Sequence, residues 1–461
     1  MALSTLRQLV VLTLILWHCT AYAQAQKKLT LEESIALARQ TNLSIQSVQE
    51  NIEMAKAQVG AARAPMLPHV SLTSNYTYFK DIRKSVLEAS SGFGPPLPGP
   101  STPPETSDGN GESQVIELEF GAHHNLQGTL ALRQPIFAWG RYYYNYQSAA
   151  LGLEATQKEL EAATNQLVLD VSEAFYRILV AQEFVKVAQQ TVNRVEQQLK
   201  LARSRFEAGA STKFDVLRAE VQLANVKSQL IRSQNQVRTA KDAFKSLLNI
   251  NLTEAIEVSG NLEIPIGEFK LESLIQTAME TRPELQQFEL SERANQKRVD
   301  VAKTGNRPDL SFFANYQIDD SERLLEMNRI WNLGFQINFP IFDGLATRNA
   351  VKQAKSALKQ TQLGKDQLVN AIKFEVRRAY RDLIETIALI DVQKETVEQA
   401  QESLRLANVR YENGMITSVE LTDAQLALSQ AEVNRLQSLH DYVVGLARLE
   451  KAVGQKLGDS N

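Results

Sequence analysis

Between Trp331 and Phe339 the chain alternates strictly. Trp331, Leu333, Phe335, Ile337 and Phe339 fall on one side, and Asn332, Gly334, Gln336 and Asn338 on the other. A period of two predicts a β-strand. Three further stretches behave alike. Val70, Leu72, Tyr76 and Tyr78 oppose Ser71, Thr73, Asn75 and Thr77; Leu126, Leu130 and Leu132 oppose Gln127, Thr129 and Arg133; Leu310, Phe312, Ala314, Tyr316 and Ile318 oppose Ser311, Asn315 and Gln317. Elsewhere the pattern is helical.

The helices are of two kinds. Two are predicted near Arg141 to Phe206 and Leu345 to Arg410, each roughly 100 Å long at 1.5 Å per residue. Their apolar residues recur every seven positions: Val171, Ile178, Val185, Val192 and Leu199 with Ala174, Ala181, Ala188, Val195 and Ala202, then Val376, Leu383, Ile390, Val397 and Leu404 with Ala379, Ala400 and Ala407. Such heptads are coiled-coil seams. The polar exceptions Thr386 and Gln393 are free to face water. Shorter helices are predicted from about Leu31 to Ala64, Thr212 to Leu248, Leu271 to Gly305 and Thr417 to Ala452. Stacked end to end, the first and last helices of a repeat match the length of its long one.

The order repeats because the chain is written twice. LEESIALARQTNLSIQ from Leu31 matches LESLIQTAMETRPELQ from Leu271 at an offset of 240, and FEAG at Phe206 matches YENG at Tyr411 at an offset of 205. The difference lies in a Pro, Gly and Ser-rich loop over 89–114, which has no periodicity. The expected organisation is a first repeat over 24–250, a connecting segment over 251–270 and a second repeat over 271–461.

The opening residues carry one charge at Arg7, an apolar run from Leu9 to Trp17, and small residues suited to cleavage after Ala23 or Ala25. This is a secretory signal peptide over 1–23, too short in its apolar core for a membrane anchor. The one cysteine, Cys19, lies inside it, preceded by Trp17 and His18 where a lipoprotein has small residues. Disulfides and thiolate metal sites are therefore not expected in the exported chain. A formal charge of -3 without a basic cluster argues against nucleic acid as a partner. His123 and His124 are adjacent, hence poor joint metal ligands, and a solvated loop is the expected setting. No phosphate-binding glycine loop, HExxH or Ser/His/Asp arrangement is present, so no enzyme, cofactor or metal is expected.

Alternation alone fits a half-buried soluble cap as well as a membrane wall. The membrane reading gains from the large apolar residues on one face, from the signal peptide, and from aromatics suited to an interfacial girdle: Trp139, Tyr142, Tyr143 and Tyr144 on one side and Trp331 on the other. Four strands cannot close a barrel, and open edges are forbidden in lipid. The chain must then oligomerise, and a conducting pore favours three copies over two.

The duplicated helix, strand, strand, helix, helix unit, the PIF motifs at Pro135 and Pro340, and the turn signatures RFEAGASTKFDVLRAEVQL and RYENGMITSVELTDAQLAL resemble the TolC-like outer-membrane efflux proteins. The resemblance implies a mainly helical fold with a small β part: a homotrimer with a 12-stranded barrel in outer-membrane lipid and a coiled-coil tunnel crossing the periplasm. It also implies a periplasmic adaptor and an inner-membrane transporter of RND, ABC or MFS type.

The turns carry Gly209 and Gly414, followed by Thr212-x-x-Asp215 and Thr417-x-x-Glu420. Glycine suits a left-handed backbone there, and each Thr with its acid suits a capping box. Glu420 and Asp423 share a helix face, so only one serves the cap. The resemblance implies that this acidic pair lines the closed periplasmic entrance, where three copies would favour cations; a solvated charge is the rival reading. Tyr411 and Asp215 match positions that tie neighbouring helices shut, whereas Ile416 stands where well-known members have a basic residue. The expected function is passive efflux of drugs, metabolites or ions. Type I protein secretion and a non-conducting periplasmic scaffold are the alternatives.

Overall fold

The computed structural model describes residues 27–81, 83–89, 114–120, 123–262, 267, 269–321 and 328–457. The expected signal peptide and most of the Pro and Gly-rich loop lie outside these described residues. The chain divides into two compact units, each drawing on both repeats: one contains 150–295, 357–461 and the N-terminal part to 57, the other 58–149 and 296–356.

The first repeat comprises β1 (Lys27–Leu29), α1 (Leu31–Thr41), α2 (Leu43–Arg63), β2 (His69–Tyr78), β3 (Arg83–Ala89), β4 (Gln114–Phe120), β5 (His124–Phe137), α3 (Arg141–Glu207) and α4 (Lys213–Leu247). After β6 (Ile256–Val258) the second comprises α5 (Leu271–Thr281), α6 (Pro283–Ala302), β7 (Asp309–Ser321), β8 (Asn328–Asn338), α7 (Ala346–Glu412) and α8 (Ser418–Val453). The long helices α3 and α7 have 67 residues each.

The expected unbroken first helices are each two. Asn42 breaks the first because its Oδ1 accepts from the amides of Ser44 (2.9 Å) and Ile45 (3.3 Å), which caps α2 locally. Its Nδ2 donates to the Leu247 carbonyl at 2.9 Å, and Thr41 Oγ1 donates to that of Leu248 at 2.6 Å. In the second repeat Arg282 stands at the break because Pro283 disfavours helix at the residue before it. Thr281 Oγ1 donates to the Val453 carbonyl at 2.6 Å, and Arg282 Nη1 to those of Lys451 (3.1 Å) and Ala452 (3.0 Å). Each break thus supplies donors to the orphan carbonyls ending a half-length helix.

Around these joints lies the main core, with Phe175, Ile178, Phe244, Ile372, Leu383, Tyr442 and Leu449 fully buried. Ile178, Ile372 and Leu383 stand in the heptad seams, Phe175 lies beside one, and the seam residues Val171, Val192, Leu199, Val376, Val397 and Leu404 are buried too. Thr386 and Gln393 do not simply face water. Both are half-buried; Thr386 Oγ1 donates to the Asp382 carbonyl at 2.8 Å, and Gln393 Oε1 is shielded without a partner among the described residues.

In the other unit the sheet order is β2-β5-β7-β8, antiparallel throughout. The register aligns the apolar faces. Val70, Leu132, Ala314 and Leu333 form one row across all four strands, and Leu72, Leu130, Tyr316 and Trp331 form the next. On that face the rings of Phe312 and Phe335 lie 5.6 Å apart. On the other, Asn315 Nδ2 donates to Asn332 Oδ1 at 3.1 Å. Phe313 also lies on the polar face, fitted over Gly334, where a β-carbon would stand 3.2 Å from its Cζ.

The first PIF motif does not follow its strand but lies inside β5. Proline lacks the ladder donor, so it sits at a bulge between Pro135 and Phe137. Gln134 Nε2 bridges the carbonyls of Met66 (3.0 Å) and Pro135 (2.9 Å) there.

Candidate functional site at the helix turns

The turns at the ends of α3 and α7 have the same construction. Gly209 and Gly414 have φ of +74° and +70°, which favours glycine. The amides of Ala210 and Met415 donate to the carbonyls of Arg205 (2.8 Å) and Arg410 (2.9 Å). Thr212 then caps α4: its Oγ1 accepts from the Asp215 amide at 3.2 Å, and Asp215 Oδ2 accepts from the Thr212 amide at 3.1 Å. Thr417 and Glu420 form the matching box on α8, at 3.3 Å and 2.8 Å.

These bonds act on the acids. Hydrogen bonds from Thr212, with Ser418 and Ser211 adding, hold the Asp215 carboxyl below its usual range. The Thr417 amide and hydroxyl do the same for Glu420. Of the acidic pair, Glu420 serves the cap. Asp423 is exposed, with no side-chain hydrogen bond or ion pair among the described residues.

Contacts between the turns differ from those that Tyr411 and Asp215 alone suggest. These two line one small cavity of about 80 Å³. Asp215 Oδ1 accepts instead from Ser418 Oγ at 3.1 Å, joining the starts of α4 and α8. Tyr411, only 5% exposed, lies under the guanidinium of Arg205, whose Cζ is 4.9 Å from the ring centroid. Arg205 Nη2 also donates to the Glu412 carbonyl at 2.7 Å. Ile416 packs against the apolar cluster containing Tyr411 and Leu421. The cation holding this turn therefore comes from α3, not from position 416. Arg205 and Ser418 were not singled out from sequence, although Arg205 opens the same R-[FY]-E-x-G stretch that marks both turns.

Above the turns α3 packs on α8 through a polar layer. Thr191 and Ser429 hydroxyls are 3.1 Å apart, Arg194 Nη2 is 3.2 Å from Glu432 Oε2, and Gln198 Nε2 is 3.5 Å from Thr422 Oγ1. Among the described residues no group of three or more His, Cys, Asp or Glu could hold a metal ion. Both histidines are exposed; His123 stands before β5, as the loop setting expected, with Nδ1 2.9 Å from the Phe79 carbonyl, whereas His124 opens β5 with Nδ1 2.7 Å from Tyr76 Oη.

The girdle candidates lie on the sheet unit. Trp139, with φ +52°, packs its ring edge-on to Phe137 at 5.3 Å and beneath Arg307 at 5.0 Å. Arg141 lies over Tyr142 and Lys297 over Tyr144, while Tyr143 is exposed. Trp331 is 71% exposed and six residues along β8 from Ile337, which shares a row with Phe137. That separation is roughly 20 Å.

The sequence model of the outer membrane efflux proteins matches residues 34–249 and 274–455, one segment in each repeat. The chain belongs to this outer membrane efflux protein family. Nodulation protein T of Rhizobium leguminosarum bv. trifolii is 22% identical over 449 residues, covering 96% of this chain and 88% of that protein. The outer membrane protein TolC of Escherichia coli is 20% identical over 440 residues, covering 90% and 80%. Among solved structures the outer membrane protein VceC of Vibrio cholerae superposes with a TM-score of 0.73 at 17% identity, covering 92% and 96%, and so shares the fold. As an outer membrane efflux protein the chain is a TolC-like channel of the outer membrane that spans the periplasm, and it is not an enzyme. No helix among the described residues is long and apolar enough to cross a membrane.

Proposed function

We propose that this channel is a homotrimer and the passive outer-membrane duct of a tripartite efflux system. Three sheets close a 12-stranded barrel, and small molecules reach it from a periplasmic adaptor and an inner-membrane transporter of RND, ABC or MFS type. One observation carries this reading: a four-stranded sheet with one continuous apolar face and with β2 and β8 left as open edges. Such edges have unpaired backbone groups that lipid cannot satisfy, so copies must join edge to edge. Three copies leave a lumen that two would fill with side chains. Trp139 and Tyr142 to Tyr144 mark one membrane interface and Trp331 the other.

The turns form the gate. Asp423 and Glu420 bring six carboxylates to the entrance of a trimer and favour cations there. Conductance in planar bilayers, with oligomer mass measured on the same sample, tests both parts. A trimer with small, cation-selective conductance is expected; a monomer or a non-conducting protein sinks the duct. The double variant Glu420→Ala, Asp423→Ala is expected to lose cation selectivity, and unchanged selectivity sinks the acidic gate alone.

A further inference from the structure

A cavity of about 430 Å³ is lined by α3, α4 and α8 together. Its body is apolar: Phe184 and Val195 from α3, Val226 from α4, and Leu426 and Val433 from α8. It stays open because short side chains stand around it, Ala188 on α3, Ser233 on α4 and Ser429 on α8. Sites for drug-sized molecules have this size, roughly 300–1,000 Å³, and this make, an apolar body with a few fixed polar groups.

Charge narrows the occupant. The three helices carry many charged residues here, yet those nearby are engaged in pairs with one another: Lys186 with Glu183, Lys227 with Glu196 at 2.8 Å, and Arg194 with Glu432 at 3.2 Å. Among the described residues none that lines the cavity is charged; its polar members are hydroxyls and amides, Gln229 and Gln236 of α4 and Gln425 of α8 among them. An ion entering such a space loses its water and gains no counter-charge. A neutral molecule pays no such penalty.

Gln425 supplies the polar end. Only 6% exposed, it lines the cavity, and its Oε1 is shielded with no hydrogen-bond partner among the described residues. Other glutamines of α3 and α8 bond one turn along: Gln189 Nε2 donates to Asn193 at 3.0 Å, Gln430 to Asn434 at 2.8 Å, and Gln437 to Asp441 at 2.7 Å. One turn along from Gln425 stands Ser429, whose hydroxyl is engaged with that of Thr191 at 3.1 Å and with Arg194 Nη2 at 3.4 Å. A buried polar atom without a partner keeps the full cost of its lost water. A half-turn of the amide exchanges Oε1 and Nε2, so a ligand hydroxyl can donate to the one or accept from the other.

We infer that this cavity binds an uncharged, largely apolar small molecule carrying one hydroxyl or amide group. Gln425 is its polar anchor, and Phe184, Val226 and Leu426 enclose its body. All of these residues belong to one chain, so the site does not depend on the number of copies in the channel. Its failure leaves the duct standing, and failure of the duct leaves the site.

Protection of a cysteine from alkylation tests the site in the full-length protein. With Cys19→Ser the chain has no other thiol, so Val226→Cys reports on the cavity alone, and Asn235→Cys, exposed on the same helix, is its control. Saturating p-benzylphenol is expected to stop the reaction of N-ethylmaleimide at position 226 almost completely and to leave position 235 unchanged. Its analogue p-benzyltoluene has the same shape with a methyl group for the hydroxyl, and is expected to need a free concentration about two- to tenfold higher for equal protection. Adding Gln425→Leu is expected to abolish that difference by weakening p-benzylphenol alone; unchanged protection by p-benzyltoluene shows that the variant is folded. Protection by neither compound overturns the site, and equal potency of the two in the Gln425 protein overturns the anchor. A cysteine at position 226 that is unreactive without any compound shows the cavity filled by another part of the assembly and overturns the site as well.

Discussion

Arg205 does at the turn what no local rule assigns to it. Its guanidinium stacks on Tyr411 and bonds the Glu412 carbonyl, 207 positions away. A half-desolvated cation over an aromatic ring contributes about 0.5–2 kcal/mol, and a hydrogen bond from a charged donor about as much. Arg205→Ala is therefore expected to shift a closed tip towards opening by roughly tenfold or more, read as open fraction in single-channel records. Arg205→Lys keeps the charge but not the planar stack, so a smaller shift is expected. Equal behaviour of both variants and parent would show that the turn is held elsewhere. The capping residues Thr212 and Thr417 were legible because a cap is a three-residue affair. Arg205 was not, because the carbonyl it bonds lies 207 positions along the chain.

At the scale of elements the long helices were readable to within a residue or two at each end, because heptads accumulate over 67 residues. The breaks after Thr41 and Thr281 were not, although Pro283 was an available signal. Polar residues continue the helical pattern on both sides, and what stabilises each break is a set of carbonyls from another helix. Arg282 is the costlier of the two to lose. Only 4% exposed, it serves two carbonyls of α8 and pairs with Glu284 at 3.0 Å and Glu375 at 3.2 Å. Arg282→Ala leaves the two carbonyls and Glu284 without their cation, while Glu375 keeps Lys451 at 2.8 Å, a loss of about 3–5 kcal/mol. A large fall in the thermal midpoint is expected, and a change within about 1 kcal/mol would mean that water replaces the guanidinium. The caps carry a pH dependence of their own. Asp215 and Glu420 have depressed folded values, so their support is present above the ordinary carboxylate range and is lost as pH falls through the folded values. Hydrogen exchange at both turns is expected to stay flat from pH 7 to about 5, after correction for intrinsic rates, and to rise below about pH 4. Loosening already at pH 6 would point to other groups.

For the whole molecule the decisive fact is which face of each strand meets which neighbour. Sequence alternation supplied the parity of all four strands but not their order, since β5 pairs with β7 across the repeat boundary and only backbone register brings their apolar faces together. A register slip by one residue in any pair would turn a strand's polar side to lipid. The two faces must therefore answer differently to the same charge. Leu333 lies in the row with Val70, Leu132 and Ala314, four residues from Ile337 on β8, or roughly 13 Å. That depth is well inside an apolar band about 25 Å tall, where a lysine costs about 2–4 kcal/mol. Leu333→Lys is thus expected to cut the yield of membrane-extracted trimer severely. Gln336→Lys, on the opposite face of the same strand, is expected to insert normally and alter only the conductance. Equal tolerance of both would mean that neither face meets lipid, and the aligned rows of apolar residues would then have to be covered by protein instead.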